Sequence, residues 1–459
     1  MTQATAKRNA PQDPDLDDVD ARLDRLAALA GDVLARCRAR GASQAEVALN
    51  EDTGLTASVR MGEVETIEFH RDRGLAVTVY FGQRKGSAST ADLDPGSIEL
   101  TVEQACAIAR FTEEDPCAGL ADPERMARVF PDLDLWHPRP LDATEAAELA
   151  LRAEAAGRAV DARIGNSDGA SATFGSGISV YANSHGFIGR ERGTSYGLSC
   201  SLIAGKGEGM QRDHWYDHAC CFEDLAPPES IGRRAAERAL ARLRPRRVRT
   251  GQYPVLFSAE VARTLFGHLL RAVSGTAQYR QASFLLGHMG KPVLPRGIDL
   301  IERPHLRRGH RSAAFDNEGV ATFDQPLVVD GVLQRYVLGS YAARKLGLIT
   351  TANAGGIHNL EVSTGREDRD ALLRAMGRGL LVTELMGDGT NLITGDYSHG
   401  AAGFWVEDGQ IAYPVDEVTI AGNLREMLLG IEAIGSDIDR RFAVATGSIL
   451  VGSMTVAGH

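Results

Sequence analysis

The sequence predicts an α+β fold, and three observations predict it. Apolar side chains recur at helical spacing over residues 17–39, strict apolar–polar alternation replaces that period from residue 46 to 81, and the second half mixes one clear helix with many short β runs. A chain of 459 residues exceeds what one hydrophobic core organises, so several domains are expected. The boundaries read from composition are a disordered N-terminus at 1–16, an N-terminal α+β domain at 17–130 (a helix plus an antiparallel sheet), a middle α/β segment at 131–245 and a larger β-rich C-terminal domain at 246–459.

The first helix rests on Val19, Leu23, Leu26, Ala30, Val33, Leu34 and Cys37, which share one face, and Gly41 ends it. EVALN, LTASVR, EVETIEF and GLAVTVYF then alternate, separated by the turn-like DTG, MGE and HRDRG, which predicts a four-stranded antiparallel meander. A helix near 101–111 and the loop EEDPCAGLADP close this part. An Ala- and Glu-rich helix is expected at 142–162, glycine-broken strands at 164–222, and a helix at 228–243 running into the linker RPRRVRTGQYP. From residue 253 come one helix, SAEVARTLFGHLLRAVSG, and β runs such as PLVVDGVLQRYVL and AGFWVEDGQIAYPV. Residues 442–458 carry no ionisable side chain, but 17 residues studded with Gly, Ser and Thr read as buried closing strands rather than a membrane span.

Composition narrows the function classes. Apolar residues at 43% and charged residues at 24% are ordinary for a globular protein. The net charge of −11 repels a phosphate backbone, and the eight arginines of residues 233–249 lack aromatic interleaving, so no direct nucleic-acid partner is expected. The N-terminus has no apolar core of a leader or anchor, so the expected location is cytoplasmic, with no membrane partner. Six cysteines without a C-x-x-C pair read as reduced and mostly buried.

Chemistry-bearing motifs are few. Gly165-Asn-Ser-Asp-Gly169 and Gly193-Thr-Ser-Tyr-Gly197 match the nucleophile-elbow pattern, yet neither sits between a strand and a helix. There is no H-E-x-x-H and no His followed by Glu. His214 and His218 have i, i+4 spacing, but RDHWYDHACCF reads as extended, where that spacing does not align two imidazoles as a helix would. His358 in AGGIHN and His399 in GDYSHGAAGFW lie in glycine-rich loops, and a histidine bonded to backbone is the plain alternative to a functional one.

Long ordered blocks remain: RMGEVETIEFHRDRGLAVTVYFGQRKGSAST, DPCAGLADP, ANSHG, FGHLL, SYAARKLGL followed by AGGIHN, and ELMGDGTNLITGDYSHGAAGFWVEDGQIAYPVDEVTIAGNL. Together they resemble the TldD/PmbA family of bacterial metallopeptidases, historically labelled modulators of DNA gyrase, from about residue 44 to 458. The resemblance implies a heterodimer that cleaves unfolded peptides, in which a TldD-type subunit holds zinc on a His-Glu-x-x-x-His helix with a further cysteine ligand. Anchored on Gly275, the two His positions fall on Phe266 and Arg271 and the Glu on Gly267; a shift of one residue brings His268 near a ligand position. Phenylalanine has no lone pair, glycine cannot activate water and a guanidinium repels a cation. The last cysteine is Cys221.

The expectation is therefore a subunit with no catalytic residue and no metal or cofactor of its own, zinc residing in the TldD-type partner. Homodimer formation without that partner is left open. Gly355, Gly356, His358, Asn359, Asp396, Tyr397, His399 and Trp405 are the candidates for a substrate or partner surface, with a tight turn as the plain reading of Asp396 and Tyr397. Two alternatives stand beside this: a peptidase with an atypical metal site built from His358, His399 and acidic neighbours, and a non-proteolytic regulator of DNA gyrase.

Overall fold

The computed structural model describes residues 18–458, so the stretch 1–16 expected to be disordered lies outside the described residues. The chain divides into two units: residues up to Leu120 with Asp134–Leu240, and Ala121–Leu133 with the residues from Ala241 on.

The first unit runs α1 (Val19–Ala39), β1 (Gln44–Arg60), β2 (Glu63–Phe81), β3 (Arg84–Thr90), α2 (Pro95–Phe111), α3 (Ala143–Arg158), β4 (Ile164–Asn183), β5 (Ile188–Ala204), β6 (Gln211–Ala219) and α4 (Pro228–Ala241). Asp18 caps α1 by accepting from the Ala21 N–H at 3.1 Å, and Gly41 at φ +89° takes the left-handed turn that ends it. One six-stranded sheet, ordered β3-β2-β1-β4-β5-β6, spans the unit. Its helix-facing side carries Val47, Leu49, Val77 and Val79, all at most 1% exposed, against Leu23, Val33, Val102 and Ala105. Each large apolar side chain so buried contributes about 1.5–3 kcal/mol.

One expectation is corrected here. The four strands of the meander are two long ones, because DTG and HRDRG face each other across an unbroken ladder: Asp52 pairs with Asp72, Thr53 with Arg71 and Gly54 with His70. The imidazole of His70 lies so close over Gly54 that a Cβ there would meet a ring carbon at 2.1 Å. Only Met61 and Gly62, at φ 54° and 87°, turn the chain, as the two successive positive φ values of a two-residue hairpin require. Residues 17–130 and 131–245 both contribute to this sheet: β1 pairs with β4 from Glu46↔Asn183 to Val59↔Ala170. Glu154 of α3, 1% exposed, accepts from the N–H groups of Met61 and Gly62 at 2.8 and 2.7 Å.

The second unit continues with β7 (Gly251–Phe257), α5 (Ala259–Ala272), α6 (Gly275–Tyr279), β8 (Leu300–Glu302), β9 (Gln325–Val329), β10 (Val332–Leu333), α7 (Ser340–Lys345), β11 (Leu360–Val362), α8 (Arg369–Met376), β12 (Gly379–Met386), β13 (Asp396–Glu407), β14 (Gln410–Asn423), α9 (Leu424–Leu429), β15 (Ile431–Ile434), β16 (Val444–Ala445) and β17 (Ile449–Ala457). A six-stranded sheet is ordered β14-β13-β12-β7-β17-β15, and because β14 also pairs with β17, five of its strands close on themselves. Asp330-Gly331 and Asp408-Gly409, with positive φ at both residues, form the tight turns between β9 and β10 and between β13 and β14. A smaller sheet runs β10-β9-β8-β11-β16. Residues 121–133 attach here through the bridge Met126↔Val320 and the edge-on contact of Phe130 with Phe315. The uncharged tail forms β16 and β17, and no described helix is long and apolar enough to cross a membrane.

Candidate functional site

Helix α5 starts directly after β7 and buries Val261, Leu265, Phe266 and Leu269 against the closed sheet. The opposite stripe, at i, i+3, i+4 and i+7, carries Thr264, Gly267, His268 and Arg271. With Arg263, this stripe lines a cavity of about 580 Å³ completed by Leu385, Gly387, Asp388, His399 and residues 442–444. Phe266 is fully buried and belongs to the core. Gly267 leaves its helix face bare: a Cβ built there would meet nothing within 4 Å. Arg271 is 56% exposed and stands 4.0 Å from an equally open Asp388, a pair worth little in water.

Two histidines share the cavity wall. His268 and His399 lie 6.0 Å apart between ring centroids, and Tyr397 stacks obliquely on His399 at 4.3 Å. His399, 6% exposed, has both ring nitrogens engaged. Nδ1 is 3.0 Å from the Gly387 carbonyl, which can only accept, so Nδ1 carries the hydrogen and Nε2 accepts from the Thr390 hydroxyl at 2.9 Å. His268 is different: its Nδ1 is buried without a partner. Burial, helped by His399 and Arg271, pushes this imidazole from 6.5 down to about 4, so it is neutral at pH 7. The Tyr397 hydroxyl is likewise buried and unpartnered, and burial drives its pKa upward.

The loop 355–359 belongs elsewhere. Gly355 and Gly356 adopt φ +93° and +105°, conformations that favour glycine, and lead into His358 and Asn359, 7% and 5% exposed. His358 Nδ1 and its backbone N–H reach one oxygen of Glu302 at 2.7 and 2.8 Å, and Asn353 donates to the same oxygen. Arg335 bonds the other carboxylate oxygen at 2.5 Å and Gln325 at 3.2 Å. Burial raises the Glu302 pKa, but hydrogen bonds from His358 and the charge of Arg335 outweigh it, leaving the carboxyl below its usual range. Asn359 spends its amide on Arg303, Arg311 and Ser312. These groups tie the small sheet together, and the sequence flagged the histidine without its partner: Glu302 sits in an ordinary apolar run, IDLIE.

Of the remaining candidates, Asp396 is exposed at the start of β13 and accepts from Thr394 at 2.6 Å in a local turn. Trp405 corrects the surface expectation. It is 2% exposed, packs edge-on against Tyr253 at 4.9 Å and donates to Glu407 at 3.1 Å, because the inward positions of β13 face the core. Tyr397 is 1% exposed and corrects it in the same way. The structure thus brings His399 together with Gly267, His268 and Arg271, and His358 does not line that cavity. His214 and His218 lie on strand β6.

The donor set does not fit the zinc site that the motif comparison implies. Phe266 points into the core, Gly267 has no side chain, Arg271 is a cation and His399 is committed on both nitrogens. Among the described residues no three His, Cys, Asp or Glu side chains converge as metal ligands.

Three domain descriptions match this chain in order: "PmbA/TldA metallopeptidase domain 1" over residues 45–109, its central domain over 136–243 and its C-terminal domain over 250–458. The chain is 48% identical to the metalloprotease PmbA of Escherichia coli, over 90% of its own length and 92% of that protein's. It belongs to the PmbA/TldD metallopeptidase family. A metalloprotease PmbA homolog of Haemophilus influenzae is 46% identical over 92% of this chain and 93% of its own. Among solved structures, a Bacteroides thetaiotaomicron protein named as a candidate modulator of DNA gyrase superposes with a TM-score of 0.90 at 28% identity, covering 95% of this chain and 99% of that one. TldE from Thermococcus kodakarensis shares the fold, with a TM-score of 0.81 at 20% identity over 94% of this chain and all of that one. Within the PmbA/TldD family frame, α5 and its cavity occupy the C-terminal domain match.

Proposed function

We propose that this chain is the PmbA-type, non-hydrolytic subunit of a cytoplasmic TldD–PmbA complex that cleaves unfolded peptides, with the zinc held by the TldD-type subunit. One observation carries the reading: the helix that bears the zinc-motif positions borders an open cavity, yet offers a core phenylalanine, bare backbone and an arginine where the resemblance calls for ligands and base. Such a cavity can receive a peptide side chain, and none of the three residues at the motif positions can ligate zinc or serve as the motif's base. Neutral His268 lines that cavity beside His399, with its Nδ1 buried and unmet.

The test is peptide hydrolysis by this chain alone, a TldD-type subunit alone, and both. Activity is expected only with both, and chelator-sensitive hydrolysis by this chain alone overturns the reading. Gly267→Leu, which fills the cavity from open space, should lower activity per assembled complex by about tenfold while Gly267→Ala leaves it unchanged. Equal activity in all three complexes removes the cavity from the reading.

A further inference from the structure

The outer edge of β2 stops being paired partway. Strand β3 covers it from Leu75 to Phe81, and among the described residues no strand pairs with the outer edge of residues 63–74. Every residue from Glu63 to Arg73 is exposed. The apolar layer of the sheet nevertheless runs into this edge. Val59, Ala57 and Leu55 of β1 are at most 3% exposed, and their cross-strand partners Val64, Ile67 and Phe69 on the same face are 46%, 52% and 52% exposed. An open edge carrying such a row is a template for another strand.

The order of charges says which strand. Read antiparallel against itself about Glu68, the segment sets Ile67 opposite Phe69 twice and Glu65 opposite Arg71 twice. The like-charged pair, Glu68 opposite Glu68, falls on the other face, diagonal to His70 of each strand. Arg71 already has a contact within its own chain, and a guanidinium has five N–H donors to share. A peptide of unrelated sequence satisfies the open backbone equally well but has no reason to match this alternation of glutamate, isoleucine, phenylalanine and arginine. We infer that residues 65–71 are the seat of a two-fold self-association, in which β2 of one copy pairs antiparallel with β2 of a second copy about Glu68 and joins the two sheets edge to edge.

The experiment is sedimentation of the full chain, without other proteins, from about 1 to 100 µM. The wild type is expected to dimerise in this range. Glu65→Arg and Arg71→Glu, which each place like charges face to face twice, should each raise the dimer dissociation constant by about tenfold or more. An equimolar mixture of the two variants, and the chain carrying both substitutions, should return to the wild-type constant because opposite charges face again. Phe69→Lys gives an independent disruption at a half-exposed side chain, and melting curves establish that each variant is folded. A wild type that stays monomeric, single variants that dimerise as the wild type does, or a failed charge swap each overturn the inference. So does a monomer that dimerises only after removal of residues 1–17, which gives the edge to the chain's own N-terminus.

Discussion

The imidazoles of His268 and His399 stand 6.0 Å apart in one cavity wall, one with both ring nitrogens bonded and the other with Nδ1 unmet. That asymmetry sets the pH response. The folded chain holds His268 neutral down to about pH 4, whereas in the unfolded chain it protonates near its ordinary 6.5. Between those values the unfolded state binds the extra proton, so stability falls as pH is lowered, by up to about 1.4 kcal/mol per unit. His268→Phe is expected to flatten the melting temperature against pH between 6.5 and 4 relative to wild type. Parallel curves count against the assignment.

Installing ligands should not create a zinc enzyme. Phe266→His places an imidazole in a fully buried position of the closed sheet's core, losing apolar contact and leaving polar atoms unmet, at a cost of about 2–4 kcal/mol. Arg271→His and Gly267→Glu are tolerated, since one site is half exposed and the other open. The triple variant is expected to melt lower than wild type and to bind no stoichiometric zinc by metal analysis. Tight zinc with hydrolysis in this chain alone refutes that.

Trp405→Ala should act through folding. Its ring is enclosed by Tyr253 and the core of β13, so truncation costs about 3–5 kcal/mol. Activity per folded complex, measured after removing unfolded chain, is expected to match wild type. A specific loss of activity without loss of stability would return Trp405 to the functional surface.

The Glu302 cluster predicts acid sensitivity of a different kind. A carboxyl held below its usual range by His358 and Arg335 stabilises the fold above the pKa of the unfolded chain, and that stability disappears as pH falls through the folded value. Glu302→Ala leaves Arg335 buried and uncompensated, and is expected to cost about 3–5 kcal/mol near neutrality by denaturant unfolding. A change under about 1 kcal/mol would show that the network is not structural.

The α+β class and most helices were legible, because their signals are local: the stripe from Val19 to Cys37 and the stop at Gly41 act within a few residues. Strand length was not. DTG and HRDRG look like turns one at a time and become strand only because each is the other's partner. The same holds at the site. The vacated positions Phe266, Gly267 and Arg271 were readable from spacing and motif comparison, whereas the cavity above them needs residues 442–444 and His399, more than 100 positions away. Trp405 reads as surface for a related reason: the glycines around it mark close backbone approach, and at Gly403 the approach is by the chain's own Leu381 carbonyl.

The pairing of β1 with β4 has a consequence for biosynthesis. A nascent chain that has released β1 to α2 holds a sheet whose inner flank waits for residues 170–183, and the segment 121–133 that emerges in between must bypass it for Val320, nearly 200 residues later. Synthesis at roughly 5–20 residues per second supplies that partner strand only after several seconds, so the flank of β1 stays open in the nascent chain. A gene cut after residue 133 would then yield a product that cannot fold, even though its sequence reads as a complete domain.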